Sequence, residues 1–170
     1  NNFFNKKTAN HIIKNYGKVN FVTSHNTLAH VEDLKSIFKN IYKVLKKDGY
    51  FCFEIGYLKE VMKNNFFDTI YHEHLDYHHA NPLVSFLLKI GFSVIDIKVV
   101  RIQGGSIRIL CKKDYKRYIN KNTKTFLHKE KKTILYNRSF INNWDKRIKL
   151  LMKVTRNKIL EITHNKKIYG

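Results

Sequence analysis

The amino-acid sequence predicts an α/β protein in which a parallel sheet with an antiparallel edge hairpin is followed by a lysine-rich helical segment. Three observations lead there. Two strand-like runs flank one helical stripe, and a strand–helix–strand order of this kind closes as a right-handed crossover between parallel strands. Two further apolar runs are separated only by Gln103-Gly104-Gly105, a hairpin signal. Beyond about Lys112 helical, basic sequence takes over.

In chain order, residues 8–16 are weakly helical and stop at Gly17, a residue type suited to follow a helix C-terminus. Residues 19–24 (VNFVTS) form a short β-branched run, read as a strand. Residues 31–47 place Val31, Leu34, Ile37, Phe38, Ile41, Tyr42 and Leu45 at the spacing of one buried helical face. Asp48-Gly49 breaks that helix, and residues 50–55 (YFCFEI) follow as a buried strand. Residues 57–64 suit a short helix, whereas residues 65–79 are neither periodic nor rich in glycine and serine. Asn81-Pro82 has the form of a helix start, cap then proline, for a helix running to Gly91. Residues 92–102 and 106–111 are the hairpin strands. Further on, Ile141, Trp144, Ile148, Leu151, Met152, Val154, Ile159 and Ile162 form an apolar helical stripe, expected to pack on a core or a neighbouring domain. Ile168-Tyr169-Gly170 reads as a strand entering a glycine turn, and both ends read as cut from a longer polypeptide.

Composition narrows the function. With 43% hydrophobic and 14% aromatic residues among 170, the chain can bury a sizeable core. Two cysteines, Cys52 and Cys111, exclude a disulfide framework and cannot make a zinc site alone. No apolar run approaches the roughly 18 residues of a membrane span, and a reducing cytoplasm is the expected setting. The 33 basic residues against 13 acidic give +20, distributed as +6 over residues 1–110 and +14 over residues 111–170. Lysine supplies 27 of the 33, leaving few arginines for bidentate contacts to phosphates or base edges. A solvated lysine surface is therefore the expectation, and a nucleic-acid-binding module using the basic tail is the rival.

Three segments carry residues suited to chemistry. The densest is Phe67-Asp68-Thr69-Ile70-Tyr71-His72-Glu73-His74-Leu75, followed by Tyr77, His78 and His79. His and Glu serve as general bases or acids near neutral pH, and Tyr donates to a developing oxyanion. A metal centre is disfavoured, because the His-Glu-x-x-His spacing is absent and no Cys or carboxylate completes an obvious ligand set. The second segment, Ser24 to His30, follows the first strand, and open α/β sheets bind ligands outside the carboxyl ends of their strands. Asn26 and His30 stand there, His30 at the expected entrance to the next helix, where its plainest role is a cap. The third, Gln103 to Arg108, combines a glycine pair with Ser106 and Arg108, types that suit anionic or sugar groups. Neither a GxGxxG fingerprint nor a Walker loop occurs.

Taken in order, these segments resemble the SAM-dependent C-methyltransferases of deoxysugar biosynthesis. The segment Asn26-Thr27-Leu28-Ala29-His30-Val31-Glu32-Asp33-Leu34 is similar to the one after the fourth strand of that family's SAM domain. Residues 67–75 resemble its central signature, and Gly104-Gly105-Ser106-Ile107-Arg108 its Gly-Gly-Ser-Leu-Arg. The resemblance implies a partial Rossmann-like methyltransferase domain over residues 1–112. Residues 113–170 would be a helical connection and the start of a C-terminal Rossmann-like domain. It implies S-adenosyl-L-methionine (SAM) as cofactor and a nucleotide-linked 4-keto-6-deoxysugar as substrate, with nucleic acid and membrane not expected as partners.

By the same resemblance, His74 matches the base that removes the proton next to the keto group. Tyr71 and Glu73 match residues that assist it, and His30 an imidazole beside the reacting carbon. His25, Asn26 and Leu28 would touch the cofactor; Tyr77, Gly104, Gly105, Ser106 and Arg108 would contact the substrate. The zinc-binding module, the glycine-rich SAM loop and the acidic ribose-binding residue would lie upstream, so zinc is expected only there. The chain alone is then expected to be inactive; a catalytically dead remnant is a further alternative.

Overall fold

A computed structural model describes residues 3–164. The strand read at residues 167–169 lies outside the described residues. Helix α1 (Lys6–Tyr16) precedes strand β1 (Val19–His25), helix α2 (Leu34–Val44), strand β2 (Leu45–Gly56) and helix α3 (Leu58–Asn64). Helix α4 (Ala80–Ile90), strands β3 (Phe92–Val100) and β4 (Ser106–Lys113), and helices α5 (Lys121–Lys131) and α6 (Arg138–Thr163) follow among the described residues. The strands form one sheet in the order β1-β2-β4-β3. The crossover through α2 makes β1 and β2 parallel neighbours, with Val22 opposite Phe51 and His25 opposite Glu54. The glycine turn makes β3 and β4 antiparallel, and β4 inserts antiparallel against β2. The fold is thus α/β with a mixed four-stranded sheet, as the pattern predicts.

The core lies between one sheet face and helices α2 and α4. Phe38 of α2 is fully buried and sets its ring edge-on against Phe51, Phe53 and Phe86, each at a centroid distance of 5.4 Å. Aromatic pairs favour this edge-to-face arrangement, and burying such rings is the largest favourable term in a core of this kind. Ile119, Phe126, Leu127 and Leu135 pack against the same core, so α5 and its flanks lie on the sheet domain.

Among the boundaries that differ from expectation, three have a plain physical reason. Helix α2 starts at Leu34 rather than Val31, because the Asp33 carboxylate accepts from the Ser36 N–H at 2.8 Å and acts as its cap. His30 is therefore not the cap; it belongs to a single 3-10 turn, Leu28–His30. Strand β2 begins at Leu45, where the backbone leaves the helical region and pairs with Val19 across a bulge. Helix α4 begins at Ala80, so Asn81 is inside the helix instead of capping it. Its first N–H groups are satisfied by a carboxylate far along the chain, Glu130, which accepts from Ala80 N and Asn81 N at 2.8 Å each.

The apolar stripe of the last helix does not pack on the core of the described residues, one of the two coverings expected for it. None of the residues of α6 is buried, and Leu151, Met152, Val154, Ile159 and Ile162 of its apolar stripe are exposed. At 26 residues the helix is about 39 Å long. Its anchor is Trp144, whose indole N–H donates to the Met62 carbonyl at 3.0 Å. Among the described residues no helix is long and apolar enough to cross a membrane.

Candidate active site

The polar site is built at the carboxyl ends of β1 and β2. Asn26, directly after β1, has φ 50°, a left-handed turn that asparagine tolerates, and its N–H donates to the Glu54 carbonyl at 3.1 Å. The chain then forms the 3-10 turn that presents His30. From the other side, residues 65–79 fold back over these strand ends, and the Leu75 N–H donates to the Ala29 carbonyl at 2.9 Å. Two segments more than forty residues apart are thereby held together. A cavity of about 320 Å³ lies between them, lined among others by Asn26, His30, Thr69, Tyr71, His74 and Tyr77.

Hydrogen bonds fix the orientation of the imidazoles. His74 Nδ1 lies 2.8 Å from the Thr69 carbonyl oxygen, which can only accept, so Nδ1 carries the proton. In the neutral ring Nε2 then holds a lone pair, and the Tyr71 hydroxyl stands 3.2 Å from it as donor. His30 repeats the pattern: its Nδ1 donates to the Glu73 carbonyl at 2.9 Å, leaving Nε2 as the acceptor. The two rings sit 4.9 Å apart between centroids, and Tyr71 lies 4.4 Å from His74. Tyr77 donates to the same Thr69 carbonyl at 3.0 Å, and burial raises its phenol above the ordinary value. A hydrogen-bonded carbonyl behind each histidine is the arrangement that selects a tautomer and aims the opposite nitrogen.

The remaining residues singled out from sequence are distributed unevenly. Glu73 enters through its backbone carbonyl to His30; its exposed carboxylate is not part of the cavity lining. Gly105 lines the cavity and Gly104 lies behind it, packed on Phe66. Ser106 is buried, its hydroxyl donating to the Ile102 carbonyl at 3.1 Å. Arg108 is engaged elsewhere: its guanidinium pairs with the buried carboxylate of Glu54, which also lies 3.1 Å from His25 Nδ1. Burial pushes the Glu54 carboxyl up, but the hydrogen bonds from His25 and Arg108 outweigh it and hold the group below the usual glutamate range. His25 and Arg108 are thus joined through Glu54 and lie outside the cavity lining.

Leu28 is buried in the core and borders a second, larger cavity of about 680 Å³. That cavity is mostly apolar, with Phe4, Val22 and Ile41 in its wall, and His30 lines both spaces. Three participants escaped the sequence reading. Thr69 acts through its carbonyl and leaves no side-chain signal. Glu54 and Glu130 do leave one: a carboxylate in the otherwise apolar run of residues 50–55, and the sole acidic residue between Asp114 and Asp145 of a basic tail. Among the described residues no group of three or more His, Cys, Asp or Glu side chains could hold a metal.

An open α/β sheet with an antiparallel strand inserted near its edge, and a histidine-lined cavity at its carboxyl ends, define a Rossmann-like, methyltransferase-type domain. The chain belongs to the methyltransferase-domain family, whose profile matches residues 1–97. Among curated proteins it is similar to the C-methyltransferase NovU of Streptomyces niveus, with 33% identity over 104 residues covering 61% of this chain and 25% of that protein. The chain therefore spans about a quarter of the length of the curated relative it matches. Similar solved structures include magnesium protoporphyrin IX methyltransferase from Synechocystis PCC 6803, at 12% identity and a TM-score of 0.44 over 56% of this chain and 45% of that one. The N-methyltransferase NodS from Bradyrhizobium japonicum WM9 is also similar, at 11% identity and a TM-score of 0.41 over 56% and 46%.

Proposed function

We propose that this chain is the substrate-side part of a SAM-dependent C-methyltransferase acting on a nucleotide-linked 4-keto-6-deoxysugar. The observation that carries the reading is the pairing at His74. With Nδ1 committed to the Thr69 carbonyl, Nε2 faces the cavity as the only basic nitrogen of the ring, with the Tyr71 hydroxyl beside it. A base so oriented removes the proton on the carbon next to a ketone, and the electron pair left behind delocalises onto the keto oxygen as an enolate. The Tyr71 hydroxyl is positioned to donate to that oxygen or to the base, and His30 lies across the same space. Contact to the sugar nucleotide falls to Tyr77 and the Gly104–Gly105 turn, with Ser106 and Arg108 supporting the turn's strand.

When bound, SAM supplies an electrophilic sulfonium methyl group. Asn26 is the residue that best fits a contact to it, because its side-chain oxygen is buried without a hydrogen-bond partner at the junction of strand and cavity. His25 and Leu28 would act behind it, one through Glu54 and one through the core. The glycine-rich grip on the cofactor is assigned to sequence upstream of residue 1, so the 170-residue chain alone should bind SAM weakly and turn nothing over. Within the chain, residues 1–112 are assigned to the methyltransferase domain and residues 113–170 to the connection toward a further domain.

The test separates base from cofactor. In a polypeptide extended upstream to include the cofactor-binding half, the proton next to the ketone should wash out into D2O, followed by NMR without any SAM present. His74→Ala should abolish this exchange and methyl transfer alike while leaving SAM affinity unchanged. Normal exchange by the His74→Ala protein would remove the proposed base.

A further inference from the structure

Glu130 is a carboxylate in a helix of otherwise basic and neutral residues, and it is 2% exposed. It accepts five hydrogen bonds from residues at least 49 positions away. The donors are the Tyr57 hydroxyl at 2.9 Å, the N–H groups of Ala80 and Asn81 at 2.8 Å each, Asn81 Nδ2 at 2.6 Å and His79 Nδ1 at 3.2 Å. These donors fall in two groups. Tyr57 stands where the chain leaves β2, and residues 79–81 where it enters α4.

Between those points runs the excursion that carries α3, the Phe67–Thr69 turn and the Tyr71–His74 segment. The two ends also touch directly: Tyr57 bridges to His78, and the Leu58 N–H donates to the His78 carbonyl at 2.8 Å. Tyr57 N in turn donates to the Gly105 carbonyl at 3.1 Å, tying the same point to the glycine turn beside the cavity. One buried side chain from α5 thus closes the base of the loop whose interior holds the candidate catalytic groups.

The geometry points to Glu130 as a positioning residue for His74, acting through the closed base of this excursion. The inference rests on the reading of His74 as the base and assigns no contact between Glu130 and substrate. A carboxylate is suited to the task because all five partners are donors. It satisfies the N-terminal N–H groups of α4 and the hydroxyl of Tyr57 at once, which a neutral side chain of the same size cannot do. Fixing both ends, together with the Leu75–Ala29 and His30–Glu73 hydrogen bonds, restricts where the Thr69 carbonyl and Tyr71 hydroxyl can stand, and a displacement near 1 Å at a reacting group is enough to slow chemistry by about 100-fold.

The experiment has two arms. In the 170-residue chain, hydrogen exchange followed by mass spectrometry compares wild type with E130A, E130Q and Y57F. Faster exchange across residues 58–81 is expected in both Glu130 variants, including the amides of His74 and Leu75, with strands β2 and β4 still protected. Y57F, which keeps the carboxylate on α4, should loosen residues 58–64 more than residues 78–81. Should E130A fail to fold, E130Q and Y57F carry the test. In the upstream-extended enzyme, E130Q should lower kcat for methyl transfer about 100-fold and leave KM for both substrates unchanged. Unaltered exchange at residues 69–77 in the Glu130 variants, or unaltered kcat, would overturn the inference. If wild type fails to wash out the substrate proton, the reading of His74 falls, while the exchange pattern still decides what Glu130 holds.

Discussion

The Glu130 cluster makes stability depend on pH in a way that can be calculated. Burial pushes the Glu130 carboxyl up, but the hydrogen bonds from His79, from the Asn81 side chain and from the N–H groups of Ala80 and Asn81 outweigh it and hold the group at about 2, against an ordinary 4.5. The folded state therefore prefers the ionised form more than the unfolded chain does. At about 1.36 kcal/mol per pH unit, that gap amounts to about 3 kcal/mol of stability. The contribution is fully present above 4.5 and is lost as pH falls toward about 2. Against a total of about 5–15 kcal/mol for a domain, such a loss is large. Urea denaturation at pH 7, 5, 4 and 3, followed by Trp144 fluorescence and circular dichroism, measures it. Wild type should lose stability steeply below pH 4.5, whereas E130Q should start lower and show a shallower slope. Glu54, held below its usual range by His25 and Arg108, contributes a slope common to both proteins. Parallel pH curves for wild type and E130Q would refute the reasoning, because they would mean Glu130 binds its proton alike in both states.

Other outcomes follow from single contacts. Phe38→Ala should destabilise the chain by about 3–5 kcal/mol in chemical denaturation, since the ring is fully buried among three aromatic neighbours. Gly105→Ala should cost about 1–3 kcal/mol, because Gly105 has φ 127° and an added Cβ would lie 2.7 Å from Glu60 Cβ; an unchanged melting temperature would contradict this. Tyr71→Phe in the extended enzyme should slow substrate-proton washout by about tenfold while leaving the fold intact, as judged by circular dichroism. DNA or RNA titrated in physiological salt should show only weak, non-specific binding, because 14 of the 18 basic residues of the tail are lysine and few can make bidentate contacts; tight binding with a steep salt dependence would reverse that reading.

Elements defined by local pattern were legible in the sequence. The two parallel strands, the glycine hairpin and the helix over Phe38 and Ile41 each follow from spacing that a short window contains. The boundaries that shifted depend on partners outside such a window. Helix α4 starts two residues earlier than Asn81-Pro82 suggests because its first N–H groups are met by Glu130, about fifty positions away. The stripe along α6 has helical periodicity, but periodicity says only that one face is apolar and not what covers it. The site follows the same division. His30, Tyr71 and His74 announce themselves by residue type, and their convergence follows from where the strands end. The roles of Thr69, through a carbonyl, and of Arg108, captured by Glu54, are decided by tertiary geometry alone.

The closure of residues 57–80 by residue 130 also has a consequence for the order of events during synthesis. The segment bearing His74 emerges well before α5, and between them the ribosome must add α4, both hairpin strands and the Ile119 segment. At roughly 5–20 residues per second, the fifty residues from Ala80 to Glu130 take about 2.5–10 seconds. During that interval the first turn of α4 lacks its acceptor and the loop base is open, although His30, Tyr71, His74 and Tyr77 have already been made. Assembly of the catalytic geometry is therefore timed by a residue outside the cavity, and the growing chain passes through a stage in which the sheet can form while the site has not yet closed.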